Sequence, residues 1–187
     1  KKNVRNKADG RESKIFSKKF AFISHIKETK GVDNIIEAAS LLPSDYKFDF
    51  FGFIYDKKYK NGYINKHKNC NYMGSIEHDK VLDVLNNYDI VLLPSFHPGE
   101  GYPGIIIESY SIGKPVIATN LKGISEIVVN NKTGILIPVK DTNALYEAIK
   151  KIDVNNYMKY SENALKHFDV FDSDIVYPKL FKAIGLI

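Results

Sequence analysis

The chain has 187 residues, is 44% hydrophobic and 26% charged, and carries a formal net charge of +5, a balance that suits one domain with a sizeable core. It contains no run of about 18 apolar residues, which argues against a membrane span, and its polar, basic start lacks the apolar stretch of a secretory signal. Cys70 is the only cysteine, which excludes an internal disulfide or a multi-cysteine metal site and leads us to expect a reducing, cytoplasmic setting.

The charge is unevenly spread. Residues 1–19 hold eight basic side chains against Asp9 and Glu12, so the rest of the chain is close to neutral. Residues 1–18 therefore read as a basic tail or interdomain linker. Peripheral contact of that tail with an anionic membrane surface, at the inner face of the membrane, is the alternative. No basic stripe interleaved with aromatics runs through residues 19–187, so a nucleic-acid partner is not expected.

In chain order, "KFAFIS" (19–24) is a short apolar strand. Val32, Ile35, Ile36 and Ala39 repeat at helical spacing in the stretch that follows, up to Pro43. "YKFDFFG" (46–52) is a second strand, the Lys- and Tyr-rich stretch 55–68 is expected to be helical, and "CNYMG" (70–74) is a third strand. Val81, Val84, Leu85 and Tyr88 again share a helical face. "DIVLLPS" (89–95) and "KPVIATN" (114–120) are continuous apolar runs of the kind covered on both faces. Between them, Pro103 opens a helix running to about Ile112, with Gly113 as its stop. "GISEIVVNN" contains a short helix and "TGILIPV" (133–139) a sixth strand. Asp141 can cap the next helix, with Leu145, Ala148, Ile149 and Ile152 on one face. Helices over about 156–168 and 173–184 finish the chain, the last with a kink or late start at Pro178. Six strands alternating with helices predict an α/β, Rossmann-like, doubly wound and mostly parallel sheet with helices on both faces.

In such a sheet, ligands sit beyond the carboxyl ends of the strands. Two loops there carry chemistry. "SHIKETKG" (24–31) places Ser24, His25, Lys27 and Lys30 before a helix N-terminus, where unpaired N–H groups and a full cation favour a phosphate. It contains neither a dinucleotide fingerprint nor a P-loop, so taken alone it reads first as a solvated lysine-rich loop and only second as an anion site. "PSFHPGEGYPGIIIE" (94–108) places Glu100 in a glycine- and proline-rich turn and Glu108 inside the following helix. Two carboxylates so placed can accept bonds from two different groups of hydroxyls, with helix amides between them for an anion. His97 lies in the same loop, whereas His67, His78 and His167 are scattered singly and read as structural or solvated.

These motifs, together with "GKPVIATN" (113–120), "EIVVNNKTGILIPVKD" (126–141) and "ALYEAI" (144–149), resemble the C-terminal halves of retaining GT-B glycosyltransferases that carry the E-x7-E signature (glycosyl transferases group 1). Their order and spacing match over roughly residues 20–185. The resemblance implies a donor-binding domain that moves a sugar from a nucleoside diphosphate to a glycan or lipid-linked acceptor in polysaccharide synthesis. UDP is favoured over GDP, and no cofactor or metal is expected. It implies that Glu108 holds the ribose and Glu100 the transferred sugar. The amides around Gly101, Tyr102, Gly104 and Ile105 (Pro103 donates none) face sugar and diphosphate, and Lys30 neutralises the diphosphate. Tyr72, Met73 and Gly74 fall near the base. Two departures stand out. His25 occupies the family's usual arginine position, leaving Lys27 or Lys30 to supply the fixed charge. The acceptor-binding N-terminal domain is absent, so an isolated domain is expected to be inactive, with residues 156–187 packing toward the missing half. A GT-B sugar-nucleotide epimerase and a non-catalytic nucleotide-sugar module are the alternatives.

Overall fold

The structure, a computed structural model, describes residues 16–183. The basic residues 1–15 lie outside the described part, as do 184–187. Six strands form one sheet: β1 (Lys19–Ile23), β2 (Lys47–Phe51), β3 (Cys70–Gly74), β4 (Ile90–Leu93), β5 (Val116–Thr119) and β6 (Gly134–Ile137). Their order is β3-β2-β1-β4-β5-β6, and every pairing is parallel. The expected doubly wound sheet is thus present, and it is fully parallel. The order reverses between β1 and β4, where Phe20 faces Ile90 in register. In sheets of this kind, ligands bind outside the carboxyl ends of the strands at such a reversal.

Alternation of side chains sorts the core into two layers. Phe20, Phe22, Phe48, Phe50 and Leu92 face α1 (Val32–Ser40) and α5 (Thr142–Lys150). Ala21, Val91, Leu93, Val116 and Ala118 face α2 (Val81–Leu85), α3 (Gly104–Ser111) and α4 (Lys122–Ser125). The long helix α6 (Val154–His167) gives Tyr157 and Tyr160 to the first layer and Ala164 to the second. Asp141 caps α5 as anticipated, accepting from the Ala144 N–H at 2.8 Å. Asp153 and Asn156 form a reciprocal capping box on α6.

Three local expectations change. The stretch 55–68 is not a helix but two isolated 3-10 turns, Lys57–Tyr59 and Ile64–Lys66. Asn61 and Gly62 between them both take positive φ, 55° and 71°, which breaks any helical run, while Tyr59 and Ile64 anchor the turns in the core. Pro103 is the extended residue before α3 rather than its first helical residue. The last helix, α7 (Ser173–Ala183), begins five residues before Pro178 and continues through it, so there is no late start. Residues 16–18 are held to the domain. Asp89 Oδ2 accepts from the N–H groups of Ser17 and Lys19 at 3.0 and 2.9 Å, and Phe16 packs on Tyr157.

Candidate functional site

The loops after β1 and β4 meet at the reversal. Phe96 donates its N–H to the carbonyl of Thr29 at 2.8 Å, and Thr29 Oγ1 lies 3.5 Å from His97 Nδ1. Gly31, between the first loop and α1, has φ 78°, and a Cβ there would stand 2.2 Å from the Pro94 carbonyl oxygen. Only glycine lets the two backbones approach this closely. The residue pairs named from the sequence as phosphate and sugar ligands are thereby brought face to face.

Lys30 Nζ lies 2.7 and 3.0 Å from the two carboxylate oxygens of Glu100. The pair is largely shielded, with side chains 15% and 9% exposed, so each charge depends on the other. Ser95, fully buried at the end of the apolar run, donates its hydroxyl to Glu100 and accepts the His97 N–H at 3.2 Å. The Thr119 hydroxyl in turn donates to the Ser95 carbonyl, tying the end of β5 to the same point. Ser95 was not singled out from the sequence, because nothing local marks the hydroxyl that ends a buried strand as a partner of a carboxylate five residues on.

Glu108 is elsewhere on the rim. It lies on α3, its side chain 28% exposed, and its neighbour is His78 of the segment after β3, with Nδ1 3.5 Å from Oε1. Burial pushes its carboxyl above the usual range, and the His78 imidazole only partly offsets that. His78 itself is almost wholly exposed. Read from the sequence as a lone structural or solvated histidine, it stands against a proposed ligand-binding carboxylate, a contact across 30 positions that no spacing announces.

The remaining expected residues are placed as follows. Gly101, Tyr102 and Gly104 are exposed, with Pro103 and Ile105 half-buried, along the turn into α3. The Tyr102 hydroxyl donates to Glu126, just past α4. Ser24 donates its N–H to Phe51 at the carboxyl end of β2. His25 is exposed, and Lys27 points its ammonium at the Tyr55 ring, 5.0 Å from its centre. Tyr72 donates its hydroxyl to the Gly52 carbonyl at 2.9 Å, Met73 is exposed, and Gly74 closes β3 with φ 87°. All these residues line the carboxyl-end rim from β3 to β4. Asp49 accepts the Tyr88 hydroxyl at 2.7 Å, and Asp89 holds residues 17–19.

Two hollows lie off the rim. One, of about 580 Å³, runs between β6 and α5 beside Leu136, Pro138 and Lys151, and one of about 500 Å³ lies between Asp169 and Leu180. Neither borders Lys30, Glu100 or Glu108. The rim is the better candidate because charged groups and a helix N-terminus converge there.

Comparison with known proteins identifies the family. Residues 6–167 match the model of the family glycosyl transferases group 1. The chain belongs to that family. An uncharacterized glycosyltransferase of Methanocaldococcus jannaschii is 27% identical over 194 residues, which is 94% of this chain and 49% of that protein. The capsular polysaccharide biosynthesis glycosyltransferase CapM of Staphylococcus aureus is 23% identical, over 94% of this chain and 48% of its own length. Among solved structures, Anabaena HepE in complex with UDP superposes with a TM-score of 0.79 at 18% identity, over 92% of this chain and 50% of its own. Sucrose-phosphate synthase from Thermosynechococcus elongatus gives 0.72 at 21% identity, over 89% and 46%. The group 1 domain thus has the Rossmann-like architecture of one half of a GT-B glycosyltransferase, and the chain spans about half the length of these relatives. No helix among the described residues is long and apolar enough to cross a membrane.

Proposed function

We propose that this chain is the donor-binding domain of a retaining glycosyltransferase. The observation that carries the reading is the Lys30–Glu100 pair at the β1/β4 reversal, with Glu108 on the helix that leaves the same loop. Without a ligand, Lys30 neutralises Glu100. A nucleoside diphosphate sugar offers Lys30 a more highly charged partner and frees the Glu100 carboxylate for sugar hydroxyls. Glu108, short of hydrogen-bond donors, accepts from the ribose hydroxyls. As the bond from the anomeric carbon to the β-phosphate breaks, charge grows on that phosphate, where Lys30 and the first amides of α3 stabilise it without reorganising. The acceptor hydroxyl adds on the face the phosphate leaves and gives its proton to that departing phosphate.

In this reading no metal is needed, since Lys30 and the helix amides supply the positive charge. Among the described residues, no group of three or more His, Cys, Asp or Glu side chains is placed to hold one. UDP is favoured as the carrier, in keeping with HepE, a relative in fold solved with UDP and with UDP-glucose. CapM supports a role in making a surface polysaccharide. The acceptor, a glycan or a lipid-linked one, belongs on a second domain. Helix α7, which buries none of its residues and exposes Tyr177, Leu180 and Phe181, suits a seat for that domain. The domain alone then binds donor and turns over nothing. Attachment to an anionic membrane face through the basic first residues belongs to the same proposal.

One observation favours a second reading, a non-catalytic nucleotide-sugar module. The position of the family's usual arginine holds an exposed histidine, and the nearby Lys27 is turned to Tyr55. Transfer activity on addition of an acceptor domain separates the two. The direct test is calorimetry with UDP and GDP on the wild type, Glu108→Ala and Lys30→Ala. UDP binding to the wild type, weakened roughly tenfold or more in each variant, is the expected result. No binding of either nucleotide at millimolar concentration sinks the reading.

A further inference from the structure

The turn that carries Lys30, a single 3-10 turn over Glu28–Lys30, closes with its own backbone bonds, Lys30 N–H to Lys27 at 3.0 Å and Gly31 N–H to Glu28 at 2.9 Å, but Lys27 before it offers no side-chain cap. The missing acceptor comes from another segment: Asp56 Oδ2 takes the Glu28 N–H at 2.7 Å. That bond is part of a wider frame. Past the ends of β1 and β2 the two segments go on pairing, with Ile26 N–H donating to Phe53 at 2.9 Å and Tyr55 N–H returning to Ile26 at 3.0 Å. Gly52 makes the approach possible, because a Cβ at its φ of 138° would stand 1.8 Å from the Ser24 carbonyl oxygen. The exposed Tyr55 ring lies under Lys27 and beside His25, their ring centres 6.4 Å apart. Lys58 then bridges Glu28 at 3.5 Å and Asp33 at 2.6 Å. Residues 52–58 therefore hold the loop after β1 by backbone, carboxylate and cation together.

We propose that this segment is the positioning frame of the diphosphate site, and that Asp56 is its principal residue. By capping the turn from outside, Asp56 sets where the Lys30 ammonium stands. Tyr55 holds Lys27 through an exposed cation–π contact, which is weak, so Lys27 moves readily to a stronger anionic partner. Asp56 touches no substrate; it acts through Lys30. The inference deepens the nucleoside-diphosphate reading above and rests on it.

The test titrates UDP and uridine into the 187-residue chain, wild type, Asp56→Ala and Asp56→Asn, read by NMR shifts and accompanied by thermal melts. Loss of a cap of this kind predicts that Asp56→Ala weakens UDP roughly tenfold. Uridine, which has no phosphate, stays within about twofold of wild type, and Asp56→Asn, which keeps an acceptor oxygen, restores most of the UDP affinity. Equal weakening of both ligands means that Asp56 is only structural and overturns the proposal, as does an unchanged UDP affinity in Asp56→Ala. A wild type that binds UDP with either of these results removes the frame but leaves the donor site standing. A wild type that binds neither ligand removes both.

Discussion

Glu100 and Glu108 stand eight positions apart and are held in opposite ways. Glu100, in a loop, has an ammonium against both oxygens and a buried hydroxyl beneath it. Glu108, on a helix, is half-buried with the exposed imidazole of His78 3.5 Å away, and burial drives its carboxyl toward the neutral form. The difference lies in the partners each position meets from distant parts of the chain, Lys30 in one case and His78 in the other. A carboxylate already paired must exchange its partner to bind, whereas one poor in donors is relieved by binding.

The comparison is broken most severely at its frame. Gly31→Ala forces a positive φ and a clash with Pro94, and should cost about 2–4 kcal/mol in chemical or thermal unfolding while separating Lys30 from Glu100. Next in size is Lys30→Ala, which strands a shielded carboxylate. A loss of about 1–3 kcal/mol is expected, mostly recovered when Glu100→Ala is added, because no lone charge then remains. An additive loss in that double variant would mean the pair is not coupled.

At Glu108 the sign is opposite. Its carboxyl pKa is raised in the folded chain by burial, so the ionised group costs stability. That cost is absent in acid, where both states are protonated, and develops as the pH rises through the ordinary carboxylate range to the raised value. Glu108→Gln should therefore melt slightly above wild type near pH 7 and alike in acid, an effect smaller than that of Lys30→Ala. UDP binding through the ribose should strengthen over the same pH rise and lose this dependence in the variant. The smallest effect is at Tyr102, whose bond to Glu126 is exposed: Tyr102→Phe should leave the melting midpoint unchanged.

Apolar runs of two-faced burial made "DIVLLPS" and "KPVIATN" legible as strands, shorter apolar stretches the other four, and glycine and proline placed α3 to within a residue. The stretch 55–68 misled because its lysines and tyrosines carry no strong period, and because the positive φ of Asn61 depends on the fold around it. Lys30, Glu100 and Glu108 stood out because the first two lie in loops that follow strands and the third in the helix after one of those loops, and their proposed roles come from the family resemblance. Ser95, His78 and Asp56 did not, since each matters through a neighbour on another element: Ser95 because the loop folds back over it, His78 and Asp56 because β-strands far apart in sequence end side by side.

The central claim, that one rim cleft takes a nucleoside diphosphate with its two ends at Glu108 and Lys30, is tested most directly by mapping UDP onto assigned backbone amides. The account predicts shifts concentrated in 24–31, 72–78 and 100–108, with the Lys30 amide responding to UDP but not to uridine. Shifts confined to the hollow between β6 and α5, or a Lys30 amide indifferent to the diphosphate while the rest of the rim responds, would contradict it.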